Sequence, residues 1–244
     1  MQFWSKGLLA IGGVASFSVF CISSASAAPI NGTVNISGSV AVGMTFIDFQ
    51  PPVGPPDGAF VVSNTGNTGS FGSLNNTAGI IKDLDETVQT PGMNFPALTG
   101  FMTFAAAPDI RLDLTSIDPG TFGSADCFAP AAPGQTCTPT GPFPNPFNLS
   151  NGSATTSSAS ITFRGNAVNT LTNETGTFVG IFSTQFTVPY QMLLQEITSG
   201  STVSTSYSAT ISTTTSAVPE PASLFLLGSG LIGIFVIGRK RAAR

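Results

Sequence analysis

From Thr33 to Phe46 the chain alternates: Val34, Ile36, Gly38, Val40, Val42, Met44 and Phe46 share one parity, and Thr33, Asn35, Ser37 and Ser39 share the other. Side chains of an extended strand point to opposite faces in turn, so a period of two predicts a strand with one buried and one wet face. The pattern recurs in Asp109 to Leu114, with Arg111 set between Asp109 and Asp113 on the wet face. It predicts further strands around 60–63, 79–82, 100–105, 160–164, 178–188 and 202–213. The breaks carry turn chemistry: the Pro/Gly run from Pro51 to Gly58, Asp118-Pro119-Gly120, and Asn151-Gly152. Short strands joined by such turns predict an all-β fold, an antiparallel β-sandwich of jelly-roll-like form.

Two stretches leave this rhythm. Residues 130–147 are rich in Pro and Gly, which predicts a long surface loop; Gln191 to Ile197 has helical spacing, which predicts a short helix capping one end of the sandwich. After it the chain is almost wholly Ser and Thr, with Val203, Tyr207 and Ile211 at wide intervals. As a final strand, 202–213 would place Thr202, Ser204, Ser206, Ser208, Thr210 and Ser212 in a row on one face. Such a ladder is either a plain solvated face or a surface for sugar hydroxyls or ordered water.

The two ends follow neither pattern. Residues 1–27 hold Lys6, an apolar run from Leu8 to Ile22 and small residues up to Ala27, the layout of a signal peptide cleaved after Ala25-x-Ala27. Cys21 goes with that leader, because bulky Phe20 stands before it where lipoprotein processing needs a small residue. At the other end Pro219-Glu220-Pro221 is followed by the uncharged segment Ala222 to Gly238 and then by Arg239, Lys240 and Arg241. At about 1.5 Å per residue that segment makes a helix of roughly 25 Å, long enough for one C-terminal transmembrane helix. The basic end would stay cytoplasmic, leaving the rest outside. The two prolines keep Glu220 extended and open to a processing enzyme just outside the membrane. The predicted organisation is a signal peptide at 1–27, an exported domain at 28–213, a linker at 214–221, a membrane helix at 222–238 and a cytoplasmic tail at 239–244.

That tail, with Pro219, Glu220 and Pro221, the apolar span and the stop at Arg239, Lys240 and Arg241 in order, resembles the PEP-CTERM sorting signal of Gram-negative bacteria; the other reading is a plain single-span anchor. The resemblance implies export through the inner membrane, transient anchoring, processing by an exosortase-like enzyme, and a final place at the cell surface or outside it. It often accompanies exopolysaccharide production. The exported stretch also resembles a group of PEP-CTERM proteins to which no catalytic residue is assigned. The shared segments are Ile36 to Val40, Pro51 to Gly54, Lys82 to Asp85, Asp113 to Gly123, and the two-cysteine loop.

Charge narrows the partners. Between the hydrophobic ends only Lys82, Arg111 and Arg164 face all twelve acidic residues, so phosphate-rich nucleic acid is excluded as a partner. The chain has no histidine, which removes Ser-His and Cys-His catalysis and histidine metal sites. Cys127 and Cys137, the only cysteines after the leader, predict one disulfide in an oxidising compartment. Asp83, Asp85 and Glu86 are the candidate calcium ligands; no other cofactor or metal is expected, and these acids lack the spaced pattern of a calcium loop. A hydrolase would need two carboxyls facing across a cleft, which spacing does not display. These observations predict a non-enzymatic surface or matrix protein, structural in the exopolysaccharide or biofilm matrix, with polysaccharide as a partner. The alternatives are a carbohydrate- or ice-binding module and a hydrolase of matrix polymers.

Overall fold

The computed structural model describes residues 30–54, 57–141 and 143–215. The expected signal peptide, PEP triplet, membrane helix and basic tail lie outside them. Among the described residues no helix is long and apolar enough to cross a membrane.

The domain is a closed antiparallel β-barrel of eight strands, which corrects the expected jelly-roll sandwich. In ring order its staves are β1 (Gly32–Val42), β4 (Asp57–Val62), β5 (Ala78–Lys82), β7 (Asn94–Phe104), β8 (Ala107–Ile117), β11 (Thr156–Asn169), β12 (Thr175–Phe186) and β13 (Val203–Thr215). Closure is made at β1, which pairs along its whole length with β13 on one edge and through Ile36, Ser37 and Gly38 with Val62, Val61 and Phe60 on the other. A sandwich and a barrel both give each strand one buried and one wet face, so alternation does not separate them. What separates them is whether the first strand finds partners on both edges. Register shifts at Leu98/Met102 in β7 and at Arg164/Gly165 in β11 add the local bends that curvature requires.

Beyond Gly38, β1 exchanges β4 for β2 (Phe46–Gln50), and β2 in turn carries β6 (Leu84–Asp85). The expected parity holds to Val42 and then breaks. The Gly43 N–H donates to the Phe46 carbonyl at 3.0 Å in a tight turn, leaving Met44 60% exposed and Phe46 on the surface while Phe49 becomes the buried residue. Strand β3 (Pro52–Gly54) pairs with β4. Asn151-Gly152, expected as a turn, lies inside β10 (Asn148–Ser153), which pairs with β11 and with β9 (Thr136–Cys137). The expected wet face of β8 is also corrected: Asp113 is only 6% exposed, its Oδ1 accepting from the Gly100 N–H at 2.6 Å and from Arg111 Nε at 3.0 Å.

The two ends of the barrel differ. At one, where β1 begins and β13 ends, the segment around a short 3-10 turn (Gly69–Phe71) folds across the opening and inserts the fully buried Phe71 against Phe104, with ring centres 5.5 Å apart. Gly32 and Gly69 are required there. Both have positive φ, and a β-carbon on either would collide with backbone of the other segment. At the opposite end lies α1 (Tyr190–Thr198), the expected capping helix, beside the loop that leads into β10.

Candidate functional site

Under α1 the barrel holds an apolar cavity of about 380 Å³. Its walls follow from strand parity. Val40 of β1, Ile161 and Phe163 of β11, Phe182 and Phe186 of β12, and Val203 and Tyr207 of β13 all point inward at this end, and β2 adds Ile47 and Phe49. The floor is aromatic. Phe49, Phe182 and Tyr207 lie with centroids 5.4 to 6.1 Å apart, and Phe163 meets Phe182 edge-on at 4.8 Å. Rings at these distances and tilts attract through their quadrupoles, which makes the floor stiffer than aliphatic packing would.

Leu193, Leu194 and Ile197 of α1 cover the cavity together with Phe143, Phe147 and Leu149. The helix has no capping side chain of its own, since Pro189 precedes it. Asn151 of β10 supplies that function from across the fold: its Oδ1 accepts from the Tyr190 N–H at 3.1 Å, and its Nδ2 donates to Gln191 Oε1 at 2.9 Å. Gln191 Nε2 then donates to Gln135 Oε1 at 2.9 Å, and the Tyr190 hydroxyl donates to the Asp126 carbonyl at 3.1 Å. Burial raises the pKa of that hydroxyl, with Asp126 adding to it. Cys127 and Cys137 are joined, as expected, and pack with Tyr190, Leu193 and Val203 in a small second core. The disulfide thus anchors the segment that holds the helix down.

The candidate calcium ligands are not brought together. Asp83 Oδ1 accepts from the Phe49 N–H at 2.7 Å and so pins β2 to the barrel; burial raises its pKa, opposed by that bond and reinforced by Asp48 and Asp57. Asp85 Oδ1 accepts from the Thr87 hydroxyl and N–H, which lower its pKa. Glu86 turns to the cavity mouth, where burial first and Asp85 second raise its pKa. No three His, Cys, Asp or Glu side chains cluster in a metal-holding arrangement among the described residues.

The serine and threonine ladder of β13 lies on the outer face, as its parity predicts. Strand register extends it sideways: Ser37, Ser208, Ser183 and Ser160 stand opposite one another on four successive strands.

The start of β1 and the end of β13 lie at the end of the barrel opposite the cavity. Thr215 closes β13 eight residues beyond Tyr207, about 27 Å along the strand at ~3.4 Å per residue. Two residues later a family model, the PEP-CTERM protein-sorting motif, matches residues 217–241. The chain carries a PEP-CTERM protein-sorting motif. The match covers the triplet Pro219, Glu220 and Pro221 and the stop at Arg239, Lys240 and Arg241. The motif implies export, processing by exosortase and sorting to the cell surface. No curated protein and no solved structure matches the chain.

The cavity was not legible as such in the sequence. Phe49 falls outside every expected strand, and the inward aromatic residues of β11, β12 and β13 read simply as core. The one available signal was the helical spacing of residues 191–197 between two strands, which marks a cap.

Proposed function

We propose that the exported barrel is a binding protein that holds one small apolar molecule in the cavity beneath α1 and acts in the exopolysaccharide matrix at the cell surface, the surface being where its sorting motif directs it. The observation that carries this reading is the cavity itself: closed small barrels either fill their interior with side chains or hold one ligand, and this one fills only the end plugged by Phe71. Its volume falls within the range of ligand pockets, roughly 300 to 1,000 Å³. Binding is favoured over catalysis because Glu86 is the only carboxylate lining the cavity among the described residues, which leaves a paired-carboxylate mechanism without its second member.

The test is native mass spectrometry of the protein purified from its host, with organic extraction of whatever travels with it, and titration with an environment-sensitive apolar dye. One dye per barrel, lost in a Leu194→Trp variant that fills the cavity, is the expected result. Dye binding unchanged by Leu194→Trp would end the reading.

A further inference from the structure

We propose that the occupant of this cavity is an uncharged amphiphile of about fifteen non-hydrogen atoms, a hydrocarbon body resting on the aromatic floor and a hydroxyl-bearing head at the mouth. This rests on the binding reading above and specifies its ligand class. The size follows from volume: a cavity of about 150 Å³ is filled by the six carbons of benzene, and this one measures about 380 Å³.

The head group follows from charge. The described domain holds only Lys82, Arg111 and Arg164 as cations, and none lines the cavity. Both arginines are engaged elsewhere, Arg111 with Asp113 at 3.0 Å and Arg164 with Asp118 at 2.8 Å. A fatty carboxylate entering here would lose water without gaining a counter-ion, and it would meet Glu86 at the mouth. The polar groups exposed in the cavity lining are instead Thr45, Thr87, Thr140, Ser183 and Thr198, beside the half-buried Glu86 of the same lining. Threonine hydroxyls donate and accept, and a carboxylate accepts, so a neutral hydroxyl can be satisfied on both sides. An ammonium head would find one carboxylate, and burial already disfavours that group's charge. Further in, Thr184 and Thr205 bond each other at 2.9 Å and leave the walls apolar.

The cavity lies at the end of the barrel opposite the last residues of β13.

The experiment compares matched twelve-carbon probes as competitors of the dye on the exported protein at pH 7: 1-dodecanol, dodecanoate and dodecylammonium. Dodecanol should displace the dye at a concentration at least tenfold below dodecanoate and below dodecylammonium. Glu86→Gln should narrow the alcohol-to-carboxylate ratio by at least threefold. Dodecanoate or dodecylammonium binding as well as the alcohol would overturn the proposal while leaving the cavity reading intact, as would a bound dye that none of the three displaces. A protein that takes up no dye and no probe would remove the cavity reading and this inference together.

Discussion

The hydroxyl of Tyr207 lies 2.8 Å from the position that a β-carbon on Gly38 would occupy. The two residues face each other across the β1–β13 ladder on the inner side of the barrel, and Tyr207 is only 5% exposed. Gly38 sits in the hydrophobic parity of β1 between Ile36 and Val40 because a larger residue there would displace the ring. Gly38→Ala should therefore destabilise the barrel by about 1 to 3 kcal/mol, the usual cost of overpacking. Because Tyr207 is part of the cavity floor, the same substitution should weaken dye binding. Chemical denaturation and dye titration of the variant check both outcomes.

Tyr207 also carries a buried hydroxyl that has no hydrogen-bond partner among the described residues. Such a group costs about 1 to 3 kcal/mol, so Tyr207→Phe should stabilise the protein by about 1 kcal/mol, seen as a rise in Tm of about 2–4 °C.

Burial pushes the Tyr207 hydroxyl well above its ordinary 10.0. The folded state therefore holds this proton more tightly than the unfolded chain. Stability should be unaffected below about pH 10 and fall above it, at up to about 1.4 kcal/mol per pH unit for one group. In Tyr207→Phe the alkaline loss between pH 10 and 12 should be correspondingly shallower. Denaturation at pH 8, 10 and 11.5 decides; equal slopes in the two proteins would show that the ring is not sealed from water.

Asn151 gives a fourth expectation. It is 1% exposed and joins α1 to β10 through the Tyr190 N–H and the Gln191 side chain. Asn151→Ala removes the substitute cap and leaves Gln191 Oε1 without its donor, which should cost about 1 to 3 kcal/mol. The helix should loosen before the barrel does. Hydrogen exchange should quicken in 190–198 while β8 and β11 stay protected, whereas uniform quickening would mean that cap and barrel unfold as one.

What could be read in advance depended on whether a property was local. Inward parity along β1 and β13 was legible, because burial of alternate side chains is written in consecutive residues; so was the helix at 191–197. Closure was not, since it joins Ile36 to Val62 and Gly32 to Thr213, and neither partner carries a mark of the other. Asn151 and Asp113 misled for a common reason. Each is a polar residue that is buried because distant backbone or side-chain groups bond it, and sequence shows the polarity without the partners. Glu86 reads in the sequence as one acid of a small cluster; its place in the cavity lining depends on how β6 docks on β2.

The separation between barrel and address yields the last expectation. Strand β13 completes its pairing with β1 and β12 by Thr215, and the sorting motif begins at residue 217. Among the described residues, the ladders of the barrel are complete without the motif. Deleting residues 217–244 should leave folding, the Cys127–Cys137 bridge and dye binding unchanged while abolishing surface retention, so that the barrel collects in the soluble fraction outside the inner membrane. Replacing Pro219, Glu220 and Pro221 by alanines should do less: export continues, but processing stops and the chain stays uncut in the membrane fraction. Fractionation with intact-mass measurement separates the two variants. If both reach the surface and are cut as the parent chain is, exosortase is not what reads this tail.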